Sequence, residues 1–431
     1  MTSQTTPSEE ELKNALLELK SANPTLGISK IHAQLLAAHP AWTVSEKRTR
    51  KILQGEGLVN NVNGGNPGQL YPVSKLMESL DVSKYSKKIE VKYFSKVKGK
   101  GLVAKEPITE GETIWKEDPW VLAPEWDLYD HQMSSHACGY CSTPLTISPL
   151  IVPCAASSSS MPCPMRFCSR LCLARSGKTH PLLCAARNPA AAPLLYFARK
   201  NQWMALHALA QCTARVLLAY NQDEKTFEED WEVMRSLAQL GMEERAMGGW
   251  LNAEPDRAMW KKAHKLYLQA FQEPATDAEK KRLAKLLKKP LRQDIAEALF
   301  DYDAFLRGLG RMSLNLEAHG GLYVLHSHLN HSCAPNASVR HLDQRTALSR
   351  ITVLARRDIA AGEELTITYV NPNLPLEQRR RQLMEWGFGK CMCERCVREE
   401  REKKAAGGDA ETERVENVDL EAELKAGLGV M

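Results

Sequence analysis

Between Cys138 and Cys184 the chain carries seven cysteines and one histidine: Cys138, Cys141, Cys154, Cys163, Cys168, Cys172, His180 and Cys184. No other feature limits the fold as much. The first residues, MTSQTTPSEEELKN, are polar and acidic, unlike a secretory signal or a transit peptide. A reducing compartment is therefore expected, where clustered cysteines serve as metal ligands rather than disulfides. Eight soft ligands suffice for two tetrahedral zinc ions. Cys168 and Cys172 are four apart, as are His180 and Cys184, so each pair can share a helix face. Ten of the twelve cysteines lie in this segment or in a second cluster, Cys391, Cys393 and Cys396; Cys212 and Cys333 stand outside. Cys212, in the apolar helical run LHALAQCTARVLLAY, reads as a core residue.

The remaining length sets the frame. With 431 residues the chain has room for two or three domains. Its 25% charged and 43% apolar residues are ordinary for a soluble protein. A net charge of +5 permits an anionic partner without requiring one. No run of apolar residues is long enough for a membrane span.

Periodicity divides the chain. Residues 1–60 read as a helical module: EEELKNALLELKSA, ISKIHAQLLAAHP and VSEKRTRKILQGEGL have helical spacing. A helix, a turn and a basic helix suit either a helix-turn-helix that contacts nucleic acid or a plain protein-docking bundle. Residues 61–87, which begin inside the Asn-, Gly- and Pro-rich stretch VNNVNGGNPGQLYPVS, read as a linker. From residue 88 the period becomes strand-like, beginning with KIEVKYF, and short runs are broken by Gly and Pro. Residues 185–310 are mostly helical, and strand signals return in GLYVLHS, ASVRHL, ALSRITVLARRDI and ELTITYV. The tail, 397–431, is a mixed-charge stretch expected to be a solvated helix or disordered. The overall expectation is an α+β protein.

The stretch 326–341, HSHLNHSCAPNASVRH, packs four histidines, a cysteine, a proline and two asparagines between strand-like runs. A metal site, a Cys/His nucleophile pair or a buried turn beside a pocket would each use such residues. A nucleophilic thiolate needs a base and an orienter, and nothing else in the chain suggests hydrolysis.

Four motifs occur in order: Lys98-Gly99-Lys100-Gly101-Leu102, then Asn330-His331-Ser332-Cys333-Ala334-Pro335-Asn336, then Gly362-Glu363-Glu364-Leu365-Thr366-Ile367-Thr368-Tyr369, then Cys391-Met392-Cys393-Glu394-Arg395-Cys396. Together they resemble the SET domain of protein lysine methyltransferases. The cysteine insert resembles a MYND zinc finger, with Phe167 before Cys168 and the final His180-x-x-x-Cys184. With the helical insert, the whole of 88–396 resembles the SET–MYND group, in particular a fungal subgroup described as potential histone lysine methyltransferases. The resemblance implies a fold of short β-sheets. Its SET domain begins at 88–137 and resumes at 311–371, around a zinc insert at 138–184 and a helical insert at 185–310. A post-SET segment at 372–396 follows.

It also implies a site. Cys138, Cys141, Cys168 and Cys172 would hold one zinc ion, and Cys154, Cys163, His180 and Cys184 a second. Cys333 would join Cys391, Cys393 and Cys396 around a third. The nine-residue step from Cys154 to Cys163 is longer than the family's close pair, with a serine-rich stretch between them. S-adenosylmethionine would contact Lys98, Gly99, Lys100, Gly101, Asn315, Asn330, His331, Tyr369, Trp386 and Phe388. Tyr369 would orient the accepting amine, with Tyr323 as a second channel wall. His326, His328 and His341 would be structural or surface residues. The expected activity is methyl transfer to a lysine of a protein, a core histone tail first, by a monomer in the nucleus and also the cytoplasm. Residues 1–60 would supply a DNA or chromatin contact. A non-catalytic chromatin adaptor and a methyltransferase of a non-histone protein are the alternatives.

Overall fold

The computed structural model describes residues 5–22, 28–55, 71–95, 97–247, 254–341 and 349–405. The chain forms two compact units, Met1–Gln69 and Leu70–Met431.

In the first unit, α1 (Glu9–Ala22), α2 (Ile28–Ala38) and α3 (Glu46–Gly55) bury Leu12, Leu16, Ile31, Leu35, Ile52 and Leu53 against one another. Ser8 and Glu11 start α1 as a reciprocal cap: the Ser8 N–H donates to Glu11 Oε2 at 2.9 Å, and the Glu11 N–H donates to Ser8 Oγ at 3.2 Å. The helices expected from periodicity are present.

The second unit begins with β1 (Ile89–Ser95), β2 (Gly99–Ala104), β3 (Thr113–Glu117), β4 (Val121–Leu122) and α4 (Trp126–Met133). The cysteine insert holds β5 (Val152–Pro153), β6 (Arg166–Phe167), α5 (Arg170–Ser176) and α6 (His180–Leu183). A helical layer follows: α7 (Ala192–Lys200), α8 (Met204–Gln222), α9 (Glu224–Ser236), α10 (Met242–Met247), α11 (Arg257–Phe271), α12 (Asp277–Leu286), α13 (Gln293–Phe300) and α14 (Tyr302–Asn315). The chain then returns to strands β7 (Gly321–Leu322), β8 (Asn330–His331), β9 (Ala337–Arg340), β10 (Ile351–Ala355) and β11 (Glu364–Ile367), and ends in α15 (Leu376–Glu385) and α16 (Glu394–Ala405).

The strands make a four-stranded sheet, β1-β2-β11-β8, a three-stranded sheet, β3-β10-β9, and the pair β4-β7. Leu102, Ile114, Trp115, Leu325, Ile351, Val353 and Leu365 fill the core between the sheets. Helix α8 is apolar nearly all round, and its burial on most faces makes it the centre of the helical layer.

Two sequence expectations need correction. Residues 71–87, read as linker, belong to the second unit. Val73 and Gln239 exchange backbone hydrogen bonds at 2.9 Å each, and Leu80, Val82 and Tyr85 pack on the core of the sheets. The earlier part of that expected linker lies outside the described residues. The run GLYVLHS forms a strand only at Gly321–Leu322 and then turns into a 3-10 segment at His326–His328. The cause is a buried carboxylate: Glu117 accepts the N–H groups of Leu325 at 2.8 Å and His326 at 3.1 Å, which bends the backbone out of strand geometry. Of the charged tail, 397–405 completes α16, and 406–431 lies outside the described residues.

Glu117 also accepts the Trp115 indole N–H at 3.2 Å. Glu117→Ala would strand these buried donors, at about 1–3 kcal/mol for each one left unmet. Denaturant unfolding should show a loss of about 3 kcal/mol or more; a loss under about 0.5 kcal/mol would mean that packing alone holds the turn.

Candidate active site

Strands β8 and β11 lie side by side and parallel, pairing Asn330 with Thr366 and His331 with Ile367. Asn336 fixes that register. Its buried side chain accepts the Thr366 N–H at 2.8 Å, and it donates to Glu363 Oε1 and the Glu364 carbonyl, each at 2.8 Å. The Ser332 N–H donates to the Ile367 carbonyl at 2.8 Å, so the chain up to Tyr369 runs beside 329–333.

At the end of this pairing Tyr369 is held at both of its polar groups. Its backbone N–H donates to Nδ1 of His331 at 3.0 Å, and its hydroxyl donates to the Leu329 carbonyl at 2.5 Å. An amide N–H can only donate, so Nδ1 of His331 accepts. Burial pushes the His331 pKa down to about 4, so the ring is neutral and its proton sits on Nε2. That N–H points at Cys333 Sγ, 3.2 Å away. Burial raises the Tyr369 pKa, which keeps the phenol protonated. With that proton committed to Leu329, the hydroxyl oxygen retains lone pairs to accept another N–H. The Tyr369 ring lies 5.0 Å from that of Phe388, centroid to centroid.

Beside it, β2 carries the Gly99-Lys100-Gly101 run. A Cβ on Gly101 would fall 2.8 Å from Asn330 Nδ2 and 2.5 Å from the Phe94 ring, so only glycine permits this approach. Asn330 Nδ2 donates to the Lys100 carbonyl and to Glu364 Oε1, each at 2.9 Å. Lys98 pairs with Glu364, and its ammonium lies 4.4 Å from the Phe94 ring centroid. Lys100 is only 3% exposed, donates to the Ser236 carbonyl at 3.0 Å and has no carboxylate partner among the described residues. Burial drives its pKa down to about 7. Asn315 reaches the same segment from α14, donating to the Ala238 carbonyl at 2.7 Å.

The expected residues therefore fall into two contact groups: Lys98, Gly99, Lys100, Gly101, Asn330 and Asn315 in one, Tyr369, His331 and Phe388 in the other. Asn330 and His331 join them through β8. Trp386 is 39% exposed, 6.0 Å from the Arg245 guanidinium. Tyr323 is buried in the core of the sheets, where its hydroxyl donates to the Ser349 carbonyl and accepts from His319 Nε2 at 2.7 Å. His326 and His328 are buried within the same turn.

The cysteines gather as the resemblance implies. Cys138, Cys141, Cys168 and Cys172 form one group; Cys154, Cys163, His180 and Cys184 a second; Cys333, Cys391, Cys393 and Cys396 a third. In each, the ligand atoms all lie within 4.8 Å of one another. The long Cys154–Cys163 step is the loop of the β5–β6 hairpin, closed where Ser157 Oγ accepts the Cys163 N–H at 2.9 Å. A zinc–sulfur bond of about 2.3 Å implies tetrahedral edges of about 3.8 Å. The sulfurs of Cys141 and Cys168 are 3.6 Å apart, those of Cys154 and Cys184 3.9 Å, and those of Cys333 and Cys396 3.5 Å. The donor sets fit zinc in chemistry and in spacing.

Sequence reasoning passed over Arg379. It lies in the basic run LEQRRRQ, which reads as a solvated face, yet its side chain is 1% exposed. It donates to the Leu374 carbonyl, pairs with Glu399 and reaches Cys396 Sγ at 3.7 Å. Four thiolates on a divalent ion leave a net charge of about −2, and this guanidinium is the buried cation beside it. The roles of Asn336 and Glu364 were also unassigned, although both stand within the quoted motifs.

The family model described as "SET domain" matches residues 99–370, more than half of the chain, and the chain belongs to that family. It is a SET-domain lysine methyltransferase. Similar curated proteins include the histone-lysine N-methyltransferase SET5 of Mycosarcoma maydis, 31% identical over 71% of this chain and 66% of that protein, just under two thirds of its length. The protein of the same name from Yarrowia lipolytica is 29% identical over 93% of this chain and 84% of its own. That of Candida albicans is 29% identical over 90% and 80%.

Elemental analysis should find three zinc ions per chain. Arg379→Met should keep two and release the third to a chelator, its affinity falling by roughly 10–100-fold. Equal retention of all three would show that the guanidinium serves only Glu399.

Proposed function

We propose that this chain moves a methyl group from S-adenosylmethionine to the ε-amine of a lysine in a protein, with a core histone tail as the substrate. The observation that carries this reading is the Tyr369 hydroxyl, its proton spent on the Leu329 carbonyl and its lone pairs free beside the Asn330-His331 strand. The substrate class follows the relatives' names and is proposed on that ground.

When bound, the cofactor supplies an electrophilic methyl group on a sulfonium. The residues on the donor side suit its amino-acid end. Lys100 is a buried cation with a single carbonyl partner and is matched to a carboxylate. Asn330 presents an amide, and Gly99 and Gly101 let a ligand approach the backbone. Lys98 and Asn315 brace the walls, and Trp386 and Phe388 supply aromatic surface.

On the acceptor side the amine must be neutral, although a free lysine has a pKa of about 10.4. Desolvation among apolar and aromatic walls lowers that value. Tyr369 then accepts an N–H from the amine and aims its lone pair along the line of transfer, so alignment is the main contribution. His331 acts through Tyr369 by holding its backbone. Tyr323, its hydroxyl already engaged, contributes ring surface rather than a proton. Residues 1–60 we assign to chromatin contact, which places the protein in the nucleus. Their deletion should leave activity on a free peptide intact and weaken nucleosome binding in a salt-dependent way.

Tyr369→Phe keeps the ring and removes the polar handle. The transfer rate should fall by roughly ten- to a thousand-fold, about 1–4 kcal/mol, with little change in cofactor affinity. An unchanged rate at unchanged stability would make Tyr369 a core residue. The cation on Lys100 is present below its pKa of about 7 and lost above it. Binding a carboxylate pulls that pKa back up. Cofactor affinity should therefore weaken as pH rises past 7, by as much as about tenfold per unit, and Lys100→Met should flatten the profile. A wild-type slope retained in Lys100→Met would place the carboxylate elsewhere.

A further inference from the structure

Two carboxylates stand near the Tyr369 phenol, whose pKa is raised first by burial and then by Glu317 and Glu364. Glu364 is committed: it pairs with Lys98 and accepts from Asn330 Nδ2 at 2.9 Å. Glu317 has no lysine or arginine partner among the described residues; its Oε1 lies 3.3 Å from His326 Nε2, off the line of a hydrogen bond. Its side chain is 32% exposed, so it is open to a ligand and to solvent. After burial, Glu317 is also the charge that most raises the Tyr323 phenol. The carboxylate therefore stands near both tyrosines assigned to the acceptor side.

Local structure holds it there. Glu317 lies two residues beyond Asn315, the end of α14. Its N–H donates to the Gly321 carbonyl at 2.9 Å, and its carbonyl accepts the Gly320 N–H at 2.8 Å, so a tight turn uses both. Gly320 has φ +86°, and a Cβ there would fall 1.7 Å from the Ala123 carbonyl oxygen, so the turn is pressed against the end of β4. Facing Glu317, His326 opens the 3-10 segment. Its carbonyl accepts the Leu329 N–H at 2.9 Å, and the Leu329 carbonyl accepts the Tyr369 hydroxyl at 2.5 Å. One short turn thus carries the imidazole beside Glu317 and the carbonyl that holds the Tyr369 proton.

The other groups nearby are spent. Tyr369 keeps its proton, and the acceptor nitrogen of His331 is filled by the Tyr369 N–H. Tyr323 donates to the Ser349 carbonyl and accepts from His319, whose pKa burial lowers to about 3. Glu117 is buried and accepts the Leu325 and His326 N–H groups. Building on the lysine methyltransferase reading above, we propose that Glu317 is a catalytic residue, the carboxylate that meets the ε-ammonium of the substrate lysine and takes its proton before transfer. The ammonium gives one proton to a Glu317 oxygen. The freed amine lone pair forms the new N–C bond as the C–S bond of the cofactor breaks, and that electron pair stays on sulfur, leaving a thioether. The carboxylic acid passes its proton to solvent through its exposed edge.

The test is the pH profile of kcat/KM for a histone-tail peptide methylated by the wild-type chain, at saturating cofactor. Glu317→Gln keeps the shape and an acceptor oxygen, and should lower kcat/KM at pH 7 by about a hundredfold. Its rate should then climb about tenfold per pH unit toward the lysine pKa of about 10.4, while the wild-type profile stays flatter. A peptide with aminoethylcysteine in place of the lysine carries a more acidic amine; it should recover much of the Gln variant's loss and change the wild type little. Glu317→Asp should retain part of the rate. In fluorescence anisotropy the wild-type preference for the lysine peptide over its norleucine counterpart should shrink in Glu317→Gln, with zinc content and cofactor affinity unchanged. The same pH slope in both proteins, or equal response of both to aminoethylcysteine, overturns the proposal and leaves the lysine reading standing. A wild-type chain that binds the cofactor and methylates no lysine overturns both.

Discussion

The hydrogen bond from the Tyr369 backbone to His331 is the contact on which the rest of the site depends. It ties the end of β11 to the end of β8, two strands that are parallel and remote in sequence. Because that bond consumes Nδ1, the ring's remaining proton must point at Cys333, a member of the third cysteine group. One imidazole therefore links the Tyr369 backbone to the sulfur of Cys333. A protonated ring could not accept the Tyr369 N–H, and burial excludes that state at neutral pH.

Charge explains much of the surrounding construction. Two members of the third cysteine group, Cys333 and Cys396, are buried at 1% and 0% exposure, and Cys391 and Cys393 are half-buried. The buried side of an anionic cluster needs donors and a counter-charge. His331 supplies a donor, and Arg379 supplies the charge, itself neutralised in part by Glu399. The logic is reversed at Lys100, a buried cation left without a carboxylate. In the proposed function it meets the carboxylate of the cofactor, and that asymmetry would separate the part of the site that holds the fold from the part that holds a ligand.

That the insert holds metal ligands was readable from residue type and number, since eight soft ligands between Cys138 and Cys184 suffice for two tetrahedral ions. How they divide into sets, and that Cys333 joins the three-cysteine run, came only from the resemblance to the SET–MYND group. The position of Tyr369 followed from its place at the end of a motif. What the sequence hid was set by distant contacts. GLYVLHS alternates like a strand, but Glu117 turns it from 208 positions away. Residues 71–87 have linker composition, yet Val73 pairs with Gln239, which no local pattern reports. Arg379 reads as a surface charge because burial of a guanidinium depends on the thiolates and Glu399 that surround it.

The central claim is that the paired strands β8 and β11 present a lysine-accepting site. The most direct measurement is mass spectrometry of core histone peptides after incubation with isotope-labelled S-adenosylmethionine and the zinc-replete chain. The account predicts label on the ε-amine of a lysine, lost when that lysine is replaced by arginine. Folded protein that binds the cofactor yet labels no lysine in any histone or other protein offered, or that labels arginine instead, would contradict it.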